Sequence, residues 1–219
     1  MDWQAFGLSL ELAGLTVALL IPLGIPVARW LAWTPVRGKV WVEGLLALPL
    51  VLPPTVLGFY LLRFTGADSI LGQIYQAVVG RTLAFSFEGL LLASLVFNLP
   101  FAIQPMQRAF EAIPSAVREA ALCCGMSPWQ RWWRIELPLA WPGLLSAMVL
   151  TFAHTLGEFG VVLMLGGNIP GETRTIAIAI YDRVQAFDTH GAALMSGVLL
   201  IFSLAAVGLS YRTVRTRGR

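Results

Sequence analysis

Residues 115–145 read SAVREAALCCGMSPWQRWWRIELPLAWPGLL. Arginines, glutamates and a glycine break into a chain that is 57% hydrophobic and only 12% charged. Soluble domains carry roughly 25% charged residues. A long apolar window lies on each side of the polar part of this stretch, so that part reads as a connection outside a bilayer. Working outward, residues 12–28, 44–62, 89–107, 137–157 and 191–211 are apolar windows of spanning length, since about 20 residues of helix cross a roughly 30 Å hydrocarbon core. His154 is the only group among them that titrates near neutrality. A cleaved signal peptide is the competing reading of the first window, but residues 1–10 carry no basic leader. The expectation is an all-α polytopic membrane protein of five transmembrane helices, organised as one transmembrane domain over residues 1–219 with a cytoplasmic segment at 111–137. A sixth span would require 172–189 to insert, against Glu172, Arg174, Asp182, Arg183 and Asp188.

Basic residues set the orientation. Arg29, Arg37 and Lys39 follow the first window; Arg108, Arg118, Arg131 and Arg134 follow the third; Arg212, Arg215, Arg217 and Arg219 form the tail. The remaining connections hold Arg63, Arg81, Arg174 and Arg183. Five spans then put the N-terminus outside and the tail in the cytoplasm, as expected of a multi-pass protein of a bacterial inner membrane. The net charge of +3 follows from this asymmetry and is poor support for nucleic-acid binding. Cys123 and Cys124 are adjacent, a strained geometry for a disulfide, and are expected to be small buried apolar groups.

Prolines fall inside two spans. The second contains LALPLVLPPTVLGFYLL, with Pro49, Pro53 and Pro54; the third contains FNLPFAIQP, with Asn98, Pro100 and Pro105. Each proline removes an intrahelical hydrogen bond that lipid cannot replace. Simple packing kinks compete with a pore-lining or moving wall, which makes Pro53, Pro54, Asn98 and Pro100 candidate pathway or gate residues. In TFAHTLGEFGVVLMLGGNIPGETRTI, residues 151–176, His154 and Glu158 share one helix face. A metal site lacks partners, because His190 is the other histidine and no H-E-x-x-H occurs. A proton relay would need a further carboxylate such as Glu11. A structural or mouth-lining role for Glu158 near the outer boundary is favoured. In the glycine-rich turn that follows, with Asn168 and Arg174, exposed amides could hold an oxyanion with Arg174 supplying charge, but the turn lacks the G-K-[ST] ending of a phosphate loop and is read as an outer gate or docking loop.

Within 115–145, Val117, Ala120, Ala121 and Cys124 form an apolar stripe, with Arg118 and Glu119 off it. Gly125 can end that helix in the left-handed conformation, and Ser127 with Pro128 can open another. A helix-turn-helix has the same outline, so a membrane-tethered DNA regulator is one alternative. Trp129, Trp132 and Trp133 disfavour it, since they suit an interface better than a groove of bases. A membrane-embedded enzyme built on His154 and Glu158 is another.

The spacing Glu119-Ala120-Ala121, three residues, Gly125, nine residues, Ile135-Glu136-Leu137-Pro138 resembles the E-A-A…G…I-x-L-P signature of importer permeases. These are the membrane subunits of binding-protein-dependent ATP-binding cassette transporters. The resemblance implies that 115–126 is a cytoplasmic coupling helix, with Arg118, Glu119, Ala120, Ala121 and Gly125 engaging a separate ATPase subunit. The 46–62 stretch, LGEFG and GNIPGETRTI are similar to the oxyanion branch of that family, the molybdate permeases, with sulfate and tungstate permeases as near alternatives. It further implies a permease homodimer in membrane lipid, two ATPase subunits that hold ATP and magnesium, and an external molybdate-binding protein. This chain, which has no phosphate-binding loop, would bind no cofactor and catalyse nothing.

Overall fold

The computed structural model describes residues 1–217, with side chains through Ala206. The tail arginines Arg212, Arg215, Arg217 and Arg219, on which part of the orientation argument rests, fall outside those described side chains. Among the described residues the chain is helical and has no strand.

Helix α1, Trp3–Trp33, opens on Asp2, whose carboxylate accepts from the Ala5 N–H at 3.0 Å, and runs through Pro22 and Pro26 without a break. The second apolar window divides into α2, Lys39–Val51, and α3, Pro54–Thr65, which meet at 110°. Consecutive prolines explain the angle. Leu52 and Pro53, each preceding a proline, are held extended at ψ 135° and 138°. Pro54 then starts α3 at a position whose N–H no helix uses. A short α4, Ile70–Val79, follows.

The third window behaves differently. Helices α5, Phe87–Phe97, and α6, Leu99–Glu111, form one span, because the Asn98 N–H still reaches the Ser94 carbonyl at 3.1 Å and Pro100 sits in the first turn of α6. After α7, Ser115–Cys123, and α8, Pro128–Arg131, comes a π-turn at Trp132–Glu136 that leads into α9, Leu137–Gly157. Pro138 accounts for that turn: it has no N–H for the preceding carbonyl ladder, and the wider turn absorbs the defect. The chain closes with α10, Gly160–Gly166, α11, Ile176–Gln185, and α12, Thr189–Arg217.

Among the described residues, four helical stretches are long and apolar enough to cross a bilayer, or five when α2 and α3 count as one bent span. Ten residues of α11 reach about 15 Å, half the hydrocarbon core. The alternative sixth span is therefore too short as a helix.

Three helices make the centre. Leu20, Ile21 and Ala28 of α1, Ala102, Met106 and Phe110 of α6, and Ala140, Leu144 and Ala147 of α9 pack as one buried cluster. Membrane helices gain little from apolar burial against each other and depend on close packing instead. Gly143 provides it: a Cβ there would lie 2.3 Å from the Ala109 Cβ and 2.7 Å from the Pro105 carbonyl oxygen. A second cluster joins α3, α5 and α10 through Leu61, Leu90, Phe97, Val162 and Leu165. A third ties the start of α1 to α11 and α12 through Ala5, Ile176 and Met195, where the Ile176 N–H donates to Ser9 Oγ at 2.8 Å.

Charges collect at the two ends of this bundle. Arg29 and Arg131 meet Glu136 at one end, beside Lys39, Glu43 and Glu111. Asp2, Arg81, Glu88, Glu172, Arg174, Asp182, Arg183 and Asp188 pair among themselves at the other. There the Gly191 N–H, and then Arg183, hold the Asp188 carboxyl below its ordinary range at the foot of α12. The connections that follow the first and third windows thus meet in space, as their shared basic character predicts.

Gly143→Ala should push α9 away from α6 and lower stability by about 1–3 kcal/mol, read as a lower thermal midpoint in detergent. Gly14→Ala, whose Cβ meets nothing within 4 Å, should hold or raise the midpoint, since alanine suits a helix interior better than glycine.

Candidate functional site

Helix α7, Ser115–Cys123, projects as a capped lever and ends three residues short of the expected 126. Pro114 precedes it in an extended conformation. At its far end Gly125 takes φ +70°, the Gly125 N–H donates to the Leu122 carbonyl and the Met126 N–H to the Ala121 carbonyl. That is the glycine-terminated cap in which the left-handed residue turns the chain away. Ser127 then caps α8 reciprocally: its hydroxyl accepts from the Gln130 N–H at 3.2 Å, and the Gln130 side chain accepts from the Ser127 N–H at 3.0 Å.

The stripe divides in a way that spacing alone does not reveal. Only Ala121 is buried; Val117, Ala120 and Cys124 are exposed, and so are Glu119 and Gly125. Ala120 and Ala121 therefore face different surroundings, one open and one packed on the chain itself. Both cysteines are exposed, which corrects their expected burial. The physical reason is that α7 lies beside the bundle end, not inside it, so most of its apolar face meets nothing in this chain. Arg118 points the other way, with its guanidinium 4.5 Å from the centre of the Trp33 ring and its Nε buried. It clamps the lever to α1 instead of extending the open face.

Behind the lever is a buried ionic knot. Glu136, 1% exposed, accepts from Arg29 Nε at 2.6 Å and Nη2 at 3.2 Å, and from Arg131 Nε at 3.1 Å. One carboxylate thus joins α1, α8 and the root of α9. Trp132 stacks on Phe110 with ring centres 6.0 Å apart, and Arg29 lies over Trp132. Sequence reasoning named Arg29 only as a topogenic charge and Glu136 only as part of the I-x-L-P spacing. A carboxylate five residues after an arginine at the mouth of a span was the available signal.

The pathway candidates fall into two groups. Asn98, fully buried at the α5–α6 joint, donates through Nδ2 to the Ser94 carbonyl and to Thr155 Oγ1, both at 2.9 Å. Its Oδ1 accepts from His154 Nδ1 at 3.1 Å. His154 stacks on Phe101, ring centres 3.9 Å apart, and its Nε2 lies 4.0 Å from Glu158. Glu158 Oε1 accepts the Val161 N–H at 2.9 Å, so this carboxylate covers the break between α9 and α10. Pro54 packs onto Gly160, where an added Cβ would be 2.7 Å from the Pro54 Cβ. The structure therefore brings Pro53, Pro54, Asn98, His154 and Glu158 into one neighbourhood, with Pro100 buried in the first turn of α6. Thr16 and Ser94, which sequence reasoning missed, extend it with a hydroxyl pair at 2.7 Å.

Asn168 and Arg174 lie elsewhere, at the opposite end from α7. Arg174 Nε donates to Asn168 Oδ1 at 2.6 Å, Asn168 Nδ2 donates to Asp182, and two carboxylates, Asp2 and Asp182, lie within 4 Å of the guanidinium. The amides of residues 172–174 turn inward to the Ile169 carbonyl. This loop is tied shut by its own bonds, and its arginine is already neutralised. An oxyanion cradle of free amides is not what the geometry forms. Glu11, the carboxylate a relay would have needed, is exposed on α1. Among the described residues no three His, Cys, Asp or Glu side chains gather as metal ligands do.

A bundle of kinked spans around a polar interior, with a capped lever held outside it, is the form of a transport permease. Residues 21–217 match the family described as binding-protein-dependent transport system inner membrane component, and the chain belongs to that family. It is a multi-pass inner-membrane protein and a transport component. Among its relatives is the molybdenum transport system permease protein ModB of Azotobacter vinelandii, 47% identical over 98% of this chain and 95% of that protein. The protein of the same name in Escherichia coli strain K12 is 38% identical over 95% of this chain and 90% of its own length. A solved inward-facing MetNI methionine ABC transporter shares the fold, with a TM-score of 0.77 at 18% identity, covering 99% of this chain and 95% of that one.

Asn98→Ala would strand the His154 and Thr155 partners inside the bundle and should cost about 1–3 kcal/mol. Thr155→Val removes one partner of several and should cost less, about 1 kcal/mol or below. Chemical denaturation of the two variants in detergent measures the order.

Proposed function

We propose that this chain is the translocation subunit of an ATP-driven importer that carries molybdate into the cytoplasm. The observation that supports it most is the open face of α7: a stiff helix, capped at Gly125 and clamped by Arg118, that presents Val117, Ala120 and Glu119 outward. A rigid lever fixed at its root can pass a rigid-body push into α6 and α9, which a loose loop would dissipate. Glu119, Ala120 and Gly125 are the residues assigned to contact with the ATPase, while Ala121 and Arg118 hold the helix in place. On this reading the α7 end is cytoplasmic, the N-terminus lies outside, and ATP with magnesium is bound by the partner ATPase pair. An external binding protein delivers the anion.

The cargo rests on the relatives, whose names specify molybdenum transport. The interior agrees in kind: the groups gathered near Asn98 and His154 are hydroxyl, amide and imidazole, bonded to one another, and the Glu158 carboxylate caps the Val161 N–H. Weak, neutral donors suit a dianion that must leave as readily as it enters. Sulfate and tungstate have the same tetrahedral charge, and selectivity among the three is assigned to the external protein. The surface of α2, none of whose residues is buried, is the face that a second copy of this chain covers to complete the path.

Vesicles holding this chain with its ATPase should take up labelled molybdate only with ATP and the external binding protein, with little competition from a tenfold excess of sulfate. Ala120→Glu should lower that uptake at least tenfold with membrane insertion intact. Uptake that persists in His154→Ala/Glu158→Gln separates transport from a catalytic use of that pair. Uptake unaffected by Ala120→Glu would overturn the coupling assignment.

A further inference from the structure

The α7 end of the bundle holds a groove that neither transport nor coupling uses. It has a volume of about 420 Å³ and is lined by Pro26 and Arg29 of α1 and by Pro128, Trp129 and Trp132 of the α8 segment. Pro26 lies seven residues before the end of α1, which is roughly 10 Å along the helix. The groove therefore runs from hydrocarbon depth up to the headgroup zone. Trp129 is 68% exposed beside it and meets Trp133 edge-on at 5.5 Å. Tryptophan belongs at this level of a bilayer, where one side of the ring is apolar and the other is wet.

Charge at the head of the groove is unbalanced. Arg29, which lies over Trp132, and Arg131 both bond Glu136, and Glu136 is the one carboxylate bonded to either of them among the described residues. Two positive charges against one negative leave one in excess. The side chains of Arg29 and Arg131 keep 34% and 18% of their surface exposed, and Glu136 engages only part of each guanidinium fork. The unspent N–H groups suit a phosphodiester, which takes charge-assisted hydrogen bonds. An apolar trough beneath a cationic head matches a phospholipid, with an acyl chain against Pro26 and Trp129. Basic pockets between spans at a membrane surface hold anionic headgroups in this way.

We infer that this groove is a binding site for an anionic phospholipid, which neutralises the arginine excess and braces the root of the coupling segment. The occupant is lipid and not the ATPase because the trough descends into the hydrocarbon region, where a soluble subunit does not reach. Neither the cargo nor the orientation of the chain enters this inference.

The full chain is placed in phosphatidylcholine nanodiscs, and tryptophan emission is followed as phosphatidylglycerol or phosphatidylcholine with brominated acyl chains is added. The chain has eight tryptophans, so the signal from the groove is the difference between wild type and Trp129→Phe. That difference should report quenching at about fivefold lower mole fraction of the brominated anionic lipid than of the zwitterionic one, from roughly one unneutralised arginine near the surface. Arg131→Gln should bring the two lipids together. Should that variant fail to fold, the wild-type and Trp129→Phe comparison decides alone. Equal quenching by both lipids, or anionic preference kept in a folded Arg131→Gln, overturns the site. Adding the ATPase subunit gives a further arm: quenching that persists supports lipid, and quenching that it abolishes assigns the groove to the subunit and overturns the inference.

Discussion

Glu136 is the constraint around which the moving end of this protein is organised. A carboxylate that is 1% exposed is stable only if fully partnered, since an uncompensated buried charge costs several kcal/mol. Its two partners come from Arg29 in α1 and Arg131 in α8, and Glu136 itself stands at the root of α9, so three elements meet there. None of the three can move without the others unless the charge is exposed. The knot therefore converts a lever on a tether into a lever on a fixed pivot, which is what transmission of force into the bundle requires. Arg118 on Trp33 adds a second point of attachment farther out.

Beyond the pivot, the spans are interrupted wherever lipid would forbid it unless protein supplies the missing bonds. Each break has a local answer. Asn98 closes the α5–α6 joint onto Ser94 and Thr155, Glu158 covers the first amides of α10, and the 110° corner at Pro53 rests Pro54 against Gly160. These answers converge on one neighbourhood inside the bundle. Polar backbone and side-chain groups are thus concentrated in one buried neighbourhood.

Much of this was legible in the residues. Length and apolarity gave the spans, arginine placement predicted which connections meet, and the proline, glycine and serine punctuation located the starts of α7 and α8. What escaped was tertiary. The i, i+3, i+4 stripe of α7 looks the same whether it is buried by its own chain or left for a partner, so the exposure of Ala120, Cys123 and Cys124 could not be read from spacing. Arg174 beside glycine-rich turns suggested an anion cradle, but Asp2 lies 172 positions away in sequence and Asp182 on another helix, and their approach is a property of the fold. Hydroxyls such as Thr16 and Ser94 carry no periodic signature at all. They are found only when two helices are seen side by side.

The central claim, that a pivoted lever passes work from a separate ATPase into the bundle, is tested most directly by the ratio of molybdate imported to ATP hydrolysed in a reconstituted complex carrying Glu136→Gln. The account predicts that the assembled variant still hydrolyses ATP while importing several-fold fewer anions per nucleotide, because the lever moves without carrying α1 and α9. An unchanged ratio in an assembled, stable complex would contradict it.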